Sequence, residues 1–223
     1  MTTTISAAFR DTPVVLLDLD GTVVDSAPGI LAGLDHAFAV CGEPHPGREV
    51  LRSFIGPPLS ESFRDELGMS AERAEMMRLA YSEHYLAEGI KASLPFPGMR
   101  ELIGRLLAEG RTVAVATNKP ELTARRLLAH QGLDDDLALI GGTDRATGRN
   151  GKAAVIGSVL ERLEIPAGTG AVMVGDRLHD SEGAAEHSLP AVLVGWGYGG
   201  EAERAAPVPF APEVPDLARM LLG

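Results

Sequence analysis

Four consecutive aliphatic residues, Val14-Val15-Leu16-Leu17, run into Asp18-Leu19-Asp20-Gly21-Thr22, and this stretch constrains the chain more than any other. A short, unbroken apolar run bounded by a glycine turn suits a strand buried on both faces, as in a parallel sheet. Alternate strand residues point the same way, so Asp18 and Asp20 project from one side of the strand end. Two carboxylates so placed are costly unless a cation, or a proton on one of them, relieves the repulsion. Gly21 permits a sharp turn and a close approach of its amide to a ligand. Open α/β sheets carry their sites at the carboxyl ends of strands. An isolated Asp-x-Asp is usually a solvated turn, but the full Asp-x-Asp-Gly-Thr arises in roughly a few per thousand chains of this length by composition alone.

Composition narrows the function classes. The 223 residues are enough for one α/β domain or for a core plus a small second domain. Acidic residues outnumber basic ones by 31 to 20, a formal charge of −11, which argues against a nucleic-acid polymer or an anionic membrane as partner. The same balance means that an anionic substrate needs a local cluster of cations or a metal. One cysteine, Cys41, excludes an intrachain disulfide and fits a reducing compartment. Residues 1–12 lack a basic segment followed by an apolar one, and no apolar run reaches spanning length. The expectation is a cytoplasmic protein, monomeric or homodimeric, with a short frayed tail over 1–12.

Strands are expected at 14–19, 112–116, 137–140, 171–174 and 190–194. Between the first two lie about sixty residues with no β-branched alternation. Ser26-Ala27-Pro28 reads as a helix start, and Ile30, Leu31, Leu34, Ala37, Phe38 and Cys41 share one face before Gly42. Short helices are expected over 48–54 and 60–67, separated by Ile55-Gly56-Pro57-Pro58, and a longer one over 71–87 with Met77, Ala80, Tyr81, His84 and Tyr85 on one face. His84 fits a packed residue of that stripe better than a ligand. A strongly amphipathic helix over 99–109 ends at Gly110, where a left-handed cap belongs. Segment 28–91 is thus a helical insert placed after the first strand. The remainder, 13–27 and 92–223, is an α/β core with a Rossmann-like parallel sheet.

Three further strand or helix ends carry polar residues. Thr117-Asn118-Lys119-Pro120 follows the second strand, and Pro120 can start a helix whose free amides would face an anion. The alternative is an ordinary cap. Lys152 stands at the start of a helix over 153–163, where a cation opposes the macrodipole unless an anion is near. Gly175-Asp176 closes the fourth strand, with Asp180 four residues on; Asp180 can also cap a helix over 181–187.

These four stations, in this order, resemble the four motifs of the haloacid dehalogenase-like superfamily of phosphohydrolases. The resemblance runs from Val14 to about Gly200 and places a helical cap of the first type at the insert. It implies that Asp18 is the nucleophile and Asp20 the general acid and base. Thr117 would bond the transferring phosphoryl group, with Asn118 and the amides of 19–21 beside it. Lys152 would screen the nucleophile and the phosphoryl oxygens. Mg²⁺ would be held by the Asp18 carboxylate, the Asp20 backbone carbonyl and Asp176, with Asp180 as a further or outer contributor. His179 has no metal role. Mg²⁺ with Lys152 would make a cationic site inside an anionic protein.

Phe54-Ile55-Gly56-Pro57-Pro58-Leu59 and Gly195-Trp196-Gly197-Tyr198-Gly199 look like the phosphoglycolate phosphatase-like branch, many relatives of which are called 5′-nucleotidases. Arg52 and Gly56 are candidates for the substrate's non-phosphate end, although an arginine there is more often a surface residue. Trp196 fits packing near the site entrance better than base stacking. Arg177 stands where Ser or Thr is frequent, which weakens the transfer of any one substrate.

The reading is a Mg²⁺-dependent phosphomonoester hydrolase for a small organic phosphate: phosphoglycolate, with nucleoside monophosphates as the alternative. A sugar-phosphate mutase uses the same acid and base. A dehalogenase needs only the nucleophile, so the presence of Asp20 argues against it. A binding module without activity predicts loss of Asp18, Asp20, Lys152 or Asp176, and all four are present.

Overall fold

The computed structural model describes residues 9–166, 168 and 170–223. They divide into two compact units, one over Pro95–Gly223 with the chain up to Val24, the other over Asp25–Leu94.

In chain order the elements are strands β1 (Val14–Leu17) and β2 (Val24–Asp25), then helices α1 (Ala27–Cys41), α2 (Arg48–Ser53), α3 (Leu59–Asp65) and α4 (Ala71–His84). A π-helical turn, Tyr85–Gly89, leads to α5 (Ile90–Ala92) and β3 (Leu94–Pro95). There follow α6 (Met99–Ala108), β4 (Thr112–Pro120), α7 (Glu121–His130), β5 (Leu139–Thr143) and α8 (Lys152–Arg162). The chain closes with β6 (Ala171–Gly175), α9 (Leu178–Glu186), β7 (Ala191–Val194), α10 (Glu201–Ala205), β8 (Phe210–Ala211) and α11 (Val214–Leu222).

The first unit is a parallel six-stranded sheet in the order β5-β4-β1-β6-β7-β8. All four residues of β1 are buried, as a central strand covered on both faces requires. From β1 the chain continues to β4 on one side and reaches β6 on the other only after β5 and α8. The strand order therefore switches sides at β1, and the crevice outside such a switch is where α/β sheets bind ligands. One sheet face carries Val14, Leu16, Ala114, Ala116, Ala171 and Met173 against Val155, Ile156, Val159 and Leu160 of α8. Leu16 faces α8, so by strand alternation Asp18 faces the same helix. On α6, Met99, Leu102, Ile103 and Leu106 are buried, the spacing expected of an amphipathic helix, and Gly110 takes φ 76°.

Some boundaries differ from expectation, each for a physical reason. β4 runs on to Pro120 instead of stopping at 116, because the sheet continues past a register break and pairs Pro120 with Thr143. Pro120 therefore caps α7 and does not begin it. β8, where no strand is expected, is added to the sheet edge beside β7. The helix expected over 181–187 begins at Leu178, which moves Asp180 from the cap into the first turn. Residues 1–8 of the expected frayed tail lie outside the described residues. The rest of that segment is tied down: Phe9 is buried, and its carbonyl accepts a 3.0 Å bond from the Arg111 guanidinium.

The second unit is helical. α1 starts with Pro28 in its first turn and ends on Gly42 in the left-handed conformation. Its buried face is Gly29, Ile30, Gly33, Leu34, Ala37 and Phe38; Leu31 and Cys41 are only partly covered. The stripe turns toward the two glycines because a Cβ on Gly29 would strike the Gly89 carbonyl. The helix expected over 71–87 is α-helical only to His84 and then widens into the π turn. There Ser93 Oγ donates to the Gly89 carbonyl at 2.8 Å and lies 3.0 Å from the Tyr85 hydroxyl. Phe63 meets Phe38 and Phe54 edge-on, at ring separations of 6.2 and 5.7 Å. His84 is half-buried, with its ring 4.6 Å from that of His36. No helix among the described residues is long and apolar enough to cross a membrane.

Candidate active site

The site is assembled at the carboxyl end of β1. The Asp18 amide donates to the Val174 carbonyl at 2.8 Å, so the nucleophile candidate is still held by the sheet. The Leu19 carbonyl then accepts from the amides of Val23 and Val24 at 3.0 Å each, which folds the chain back in a tight turn. Gly21 takes φ 87° in that turn, and a Cβ there would collide with the Asp176 carboxylate. Glycine is thus needed twice over, for the backbone angle and for the space.

Lys152, at the first position of α8, places its ammonium 2.6 Å from Asp18 Oδ1, 2.7 Å from Asp180 Oδ1 and 2.8 Å from the Ala116 carbonyl. The unfavourable position of a lysine at a helix start is thereby explained: two carboxylates from elsewhere in the fold face it. Burial would pull the ammonium's pKa down, but the Asp18 and Asp180 charges outweigh it and raise it above the ordinary lysine value.

Asp18, Asp176 and Asp180 are all buried, and one oxygen of each lies within 4.8 Å of the others. Asp176 Oδ2 accepts from the Tyr198 amide at 2.6 Å, while its buried Oδ1 has no hydrogen-bond partner among the described residues. Burial first, then the charges of Asp18 and Asp180, push the Asp176 carboxyl well above the usual carboxylate range; the Tyr198 amide and Arg177 oppose them. Three carboxylates against one ammonium leave excess negative charge in a dry place, and an oxygen without a hydrogen-bond partner there can serve as a ligand to a hard cation. An all-oxygen donor set suits Mg²⁺. The residues present therefore fit the metal implied by the family. Asp180 is shared, with Oδ1 toward Lys152 and Oδ2 accepting from the Arg177 amide at 3.0 Å, which suits an outer contributor.

Asp20 lies apart from this cluster. Its side chain is held by Lys119, whose Nζ is 3.0 Å from both carboxylate oxygens. Only 5% of the Lys119 side chain and 13% of that of Asp20 are exposed. Thr117 is buried, and its Oγ1 accepts from the Lys119 amide at 3.2 Å. Asn118 has a buried Oδ1 without a partner among the described residues, and its carbonyl accepts from Thr143 Oγ1 at 3.0 Å. β4 extends through these residues, so they form an irregular strand end, and the helix expected to start at Pro120 starts at Glu121. Arg52 and Gly56 belong to the helical unit; Arg52 is exposed and makes no ion pair among the described residues, and Gly56 takes φ 111°.

Sequence reading left Lys119 without a role. Pro120 drew attention to a helix start, whereas β4 lies beside β1 and runs on past its end. The glycine-rich Gly195–Gly199 stretch also contributes more than its aromatic residues suggested. A Cβ on Gly197 would strike the Gly21 carbonyl and Asp176, and the Trp196 indole N–H donates to the Thr22 carbonyl at 3.1 Å. Arg177, the departure from the common motif, lies 3.4 Å from Glu203. His179 Nε2 lies 3.6 Å from Asp180 Oδ1.

Known proteins place this arrangement in a family. The family model described as haloacid dehalogenase-like hydrolase matches residues 15–194. The chain is 41% identical over 187 residues to the tyrosine-protein kinase PtkA of Mycobacterium tuberculosis, covering 83% of this chain but only 63% of that relative. It is 34% identical to a 5′-nucleotidase of Pseudomonas aeruginosa, over 94% of this chain and 95% of the other. A phosphoglycolate phosphatase of Rhodospirillum rubrum is 33% identical, over 84% and 81% of the two chains. Among solved structures, a predicted phosphatase from Clostridium acetobutylicum superposes with a TM-score of 0.87 at 30% identity, covering 95% of this chain and 98% of that one. The matched stretch begins within β1 and ends with β7, taking in the three strand-end stations and Lys152 at the start of α8, and the chain belongs to the haloacid dehalogenase-like hydrolase family.

Proposed function

We propose that the protein hydrolyses small organic phosphomonoesters through an aspartyl-phosphate on Asp18. The observation that carries this reading is the pairing of a sheet-anchored Asp18 with the Lys152 ammonium at 2.6 Å, beside a buried Asp176 oxygen that lacks a partner. An Asp18 oxygen attacks phosphorus while the ester P–O bond breaks, and Asp20 gives its proton to the departing oxygen. Asp20 then takes a proton from water as the water oxygen attacks the same phosphorus. The Asp18–phosphorus bond breaks, inorganic phosphate leaves and the carboxylate is restored. Lys152 holds Asp18 in line and meets charge on the phosphoryl oxygens, with the Thr117 hydroxyl and the Asn118 side chain beside it. Mg²⁺, when bound, would neutralise phosphoryl charge, and the Asp18 carboxylate, the Asp20 carbonyl and Asp176 would hold it with help from Asp180.

The parts support a division of labour between a catalytic core of 13–27 with 92–223 and a substrate-selecting helical cap of 28–91. Arg52 and Gly56 are our candidates in the cap for the non-phosphate end of the substrate. The relatives named phosphoglycolate phosphatase and 5′-nucleotidase favour a short phosphorylated acid or a nucleoside monophosphate. The lone Cys41 and the acidic surface favour action in the cytoplasm on a diffusible substrate. A second reading, phosphoryl transfer to a protein tyrosine, is favoured only by the 41% identity to a relative so named.

The test is phosphate release with Mg²⁺ from 2-phosphoglycolate, nucleoside monophosphates, sugar phosphates and an aryl phosphate. We expect one ester to lead in kcat/KM, and Asp18→Asn to lower its kcat by at least about 10³-fold. Isomerised sugar phosphate without phosphate release would turn the reading to a mutase. Labelled phosphate passing from ATP to a tyrosine peptide would turn it to a kinase. Full activity in Asp18→Asn would sink all three.

A further inference from the structure

Lys119 is an expensive residue to bury. Desolvating an ammonium is strongly unfavourable until a partner is found. Yet this lysine is almost wholly covered and directed at one carboxylate. Its Nζ sits 3.0 Å from both oxygens of Asp20, and the two residues are 99 positions apart in the chain. Lys119 is mounted on the sheet: it lies in β4, past the residues Thr112 to Val115 that pair with β1, and its amide is bonded to Thr117 Oγ1. Asp20, by contrast, lies beyond the last residue of β1, at an isolated bridge to Val24, on a side chain with two torsions.

We propose that Lys119 is a positioning residue for leaving-group departure, holding the Asp20 carboxyl group where the ester oxygen separates from phosphorus. The assignment rests on the hydrolase reading above. Lys119 neither gives nor takes the transferred proton. That proton passes from Asp20 to the leaving oxygen as the P–O bond breaks, and a carboxyl group has enough acceptor sites to keep one oxygen on the ammonium meanwhile. Misplacing a reacting group by about 1 Å costs on the order of 10²-fold in rate, which sets the scale of what the anchor supplies. Lys152 and Lys119 therefore have different work. Lys152 serves the attacking oxygen, and Lys119 serves the departing one.

The distinction is read by the leaving group. An alkyl phosphate needs its departing oxygen protonated, whereas 2,4-dinitrophenyl phosphate leaves without a proton. The value of kcat/KM reports the steps through P–O cleavage for both, so the later hydrolysis of the aspartyl-phosphate does not enter. With Mg²⁺-loaded full-length protein, Lys119→Met is expected to lower kcat/KM by about 10²-fold on the alkyl ester and by no more than about threefold on the dinitrophenyl ester. Lys119→Arg, which keeps a cation on a long arm, should recover at least about tenfold of the alkyl activity. In an Asp20→Asn background Lys119→Met should add no further loss, since the anchor acts only through Asp20. If Lys119→Met does not fold, Lys119→Gln takes its place in the same cycle.

Equal losses on the two esters would overturn the assignment and make Lys119 a phosphoryl-binding or structural residue. So would an additive loss in the Asp20→Asn background, or no loss on either ester. Wild-type protein that cleaves neither ester, or Asp18→Asn that cleaves both, would instead overturn the hydrolase reading and this assignment with it. The two failures are thus told apart by the wild-type and Asp18→Asn controls alone.

Discussion

Asp18 and Asp20 stand two residues apart, each faces a lysine, and the two settings are nevertheless unlike. On the Asp18 side three carboxylates are buried together, two of them on one ammonium, and an oxygen of Asp176 is left without a partner among the described residues. On the Asp20 side one carboxylate meets one ammonium through both oxygens, and the charges balance. The first side carries unfavourable electrostatics that a cation would relieve. The second is already closed. Neighbouring residues on one strand end thus sit in different electrostatic settings: one beside an excess of carboxylate charge, the other in a balanced ion pair.

The comparison can be broken most forcefully at Lys152. Lys152→Met leaves Asp18 and Asp180 buried without their cation, and unfolding in urea should show a loss of about 3–5 kcal/mol. A loss below about 1 kcal/mol would mean that the cluster is far better solvated than its burial implies.

A smaller effect, of opposite sign, is expected from Asp176→Asn. Because the Asp176 carboxyl is raised in the folded protein, it favours the native state while protonated. That contribution is complete below the ordinary aspartate value of about 3.9 and is lost as the pH climbs through the raised value. Metal-free Asp176→Asn should therefore melt above metal-free wild type at neutral pH, by roughly 2–4 °C for each kcal/mol of relieved repulsion. The gap should close as the pH is lowered. Mg²⁺ should raise the Tm of wild type and leave that of the variant unchanged. A gap that persists in acid, or a variant stabilised by Mg²⁺ as strongly as wild type, would remove the distinction between the two sides.

The smallest effect concerns the strap that joins them. Trp196→Phe removes the 3.1 Å bond to the Thr22 carbonyl, and equilibrium unfolding should report a loss of about 1 kcal/mol, with kcat changed little. A collapse in kcat would show that the indole bond, and not only the close fit of Gly197, fixes the turn that carries Asp20.

The glycine-rich strap marks where sequence reading stopped short. Gly21 was legible, because a glycine after two aspartates implies a turn whatever surrounds it. Gly197 was not, because its reason is the proximity of the Gly21 carbonyl and Asp176 from distant strands. The same limit applies to Asp180. Its spacing from Asp176 was visible, but its division between Lys152 and the Arg177 amide depends on a helix that starts at Leu178 and not three residues later.

Local chemistry along the chain determined the elements and the four polar stations. Apolar runs of strand length, the period of α6, the cap at Gly110 and the acids after β1 and β6 are all short-range patterns, and short-range patterns survive in a linear text. Tertiary structure alone decided the partners. Lys119 meets Asp20 because β4 lies against β1 and runs past its end, and Lys152 meets both Asp18 and Asp180 because α8 packs on the face that Leu16 and Asp18 share. Ion pairing falls off within a few ångströms, while the residues that make it here are 28 to 134 positions apart, so only the folded register could say which lysine serves which acid.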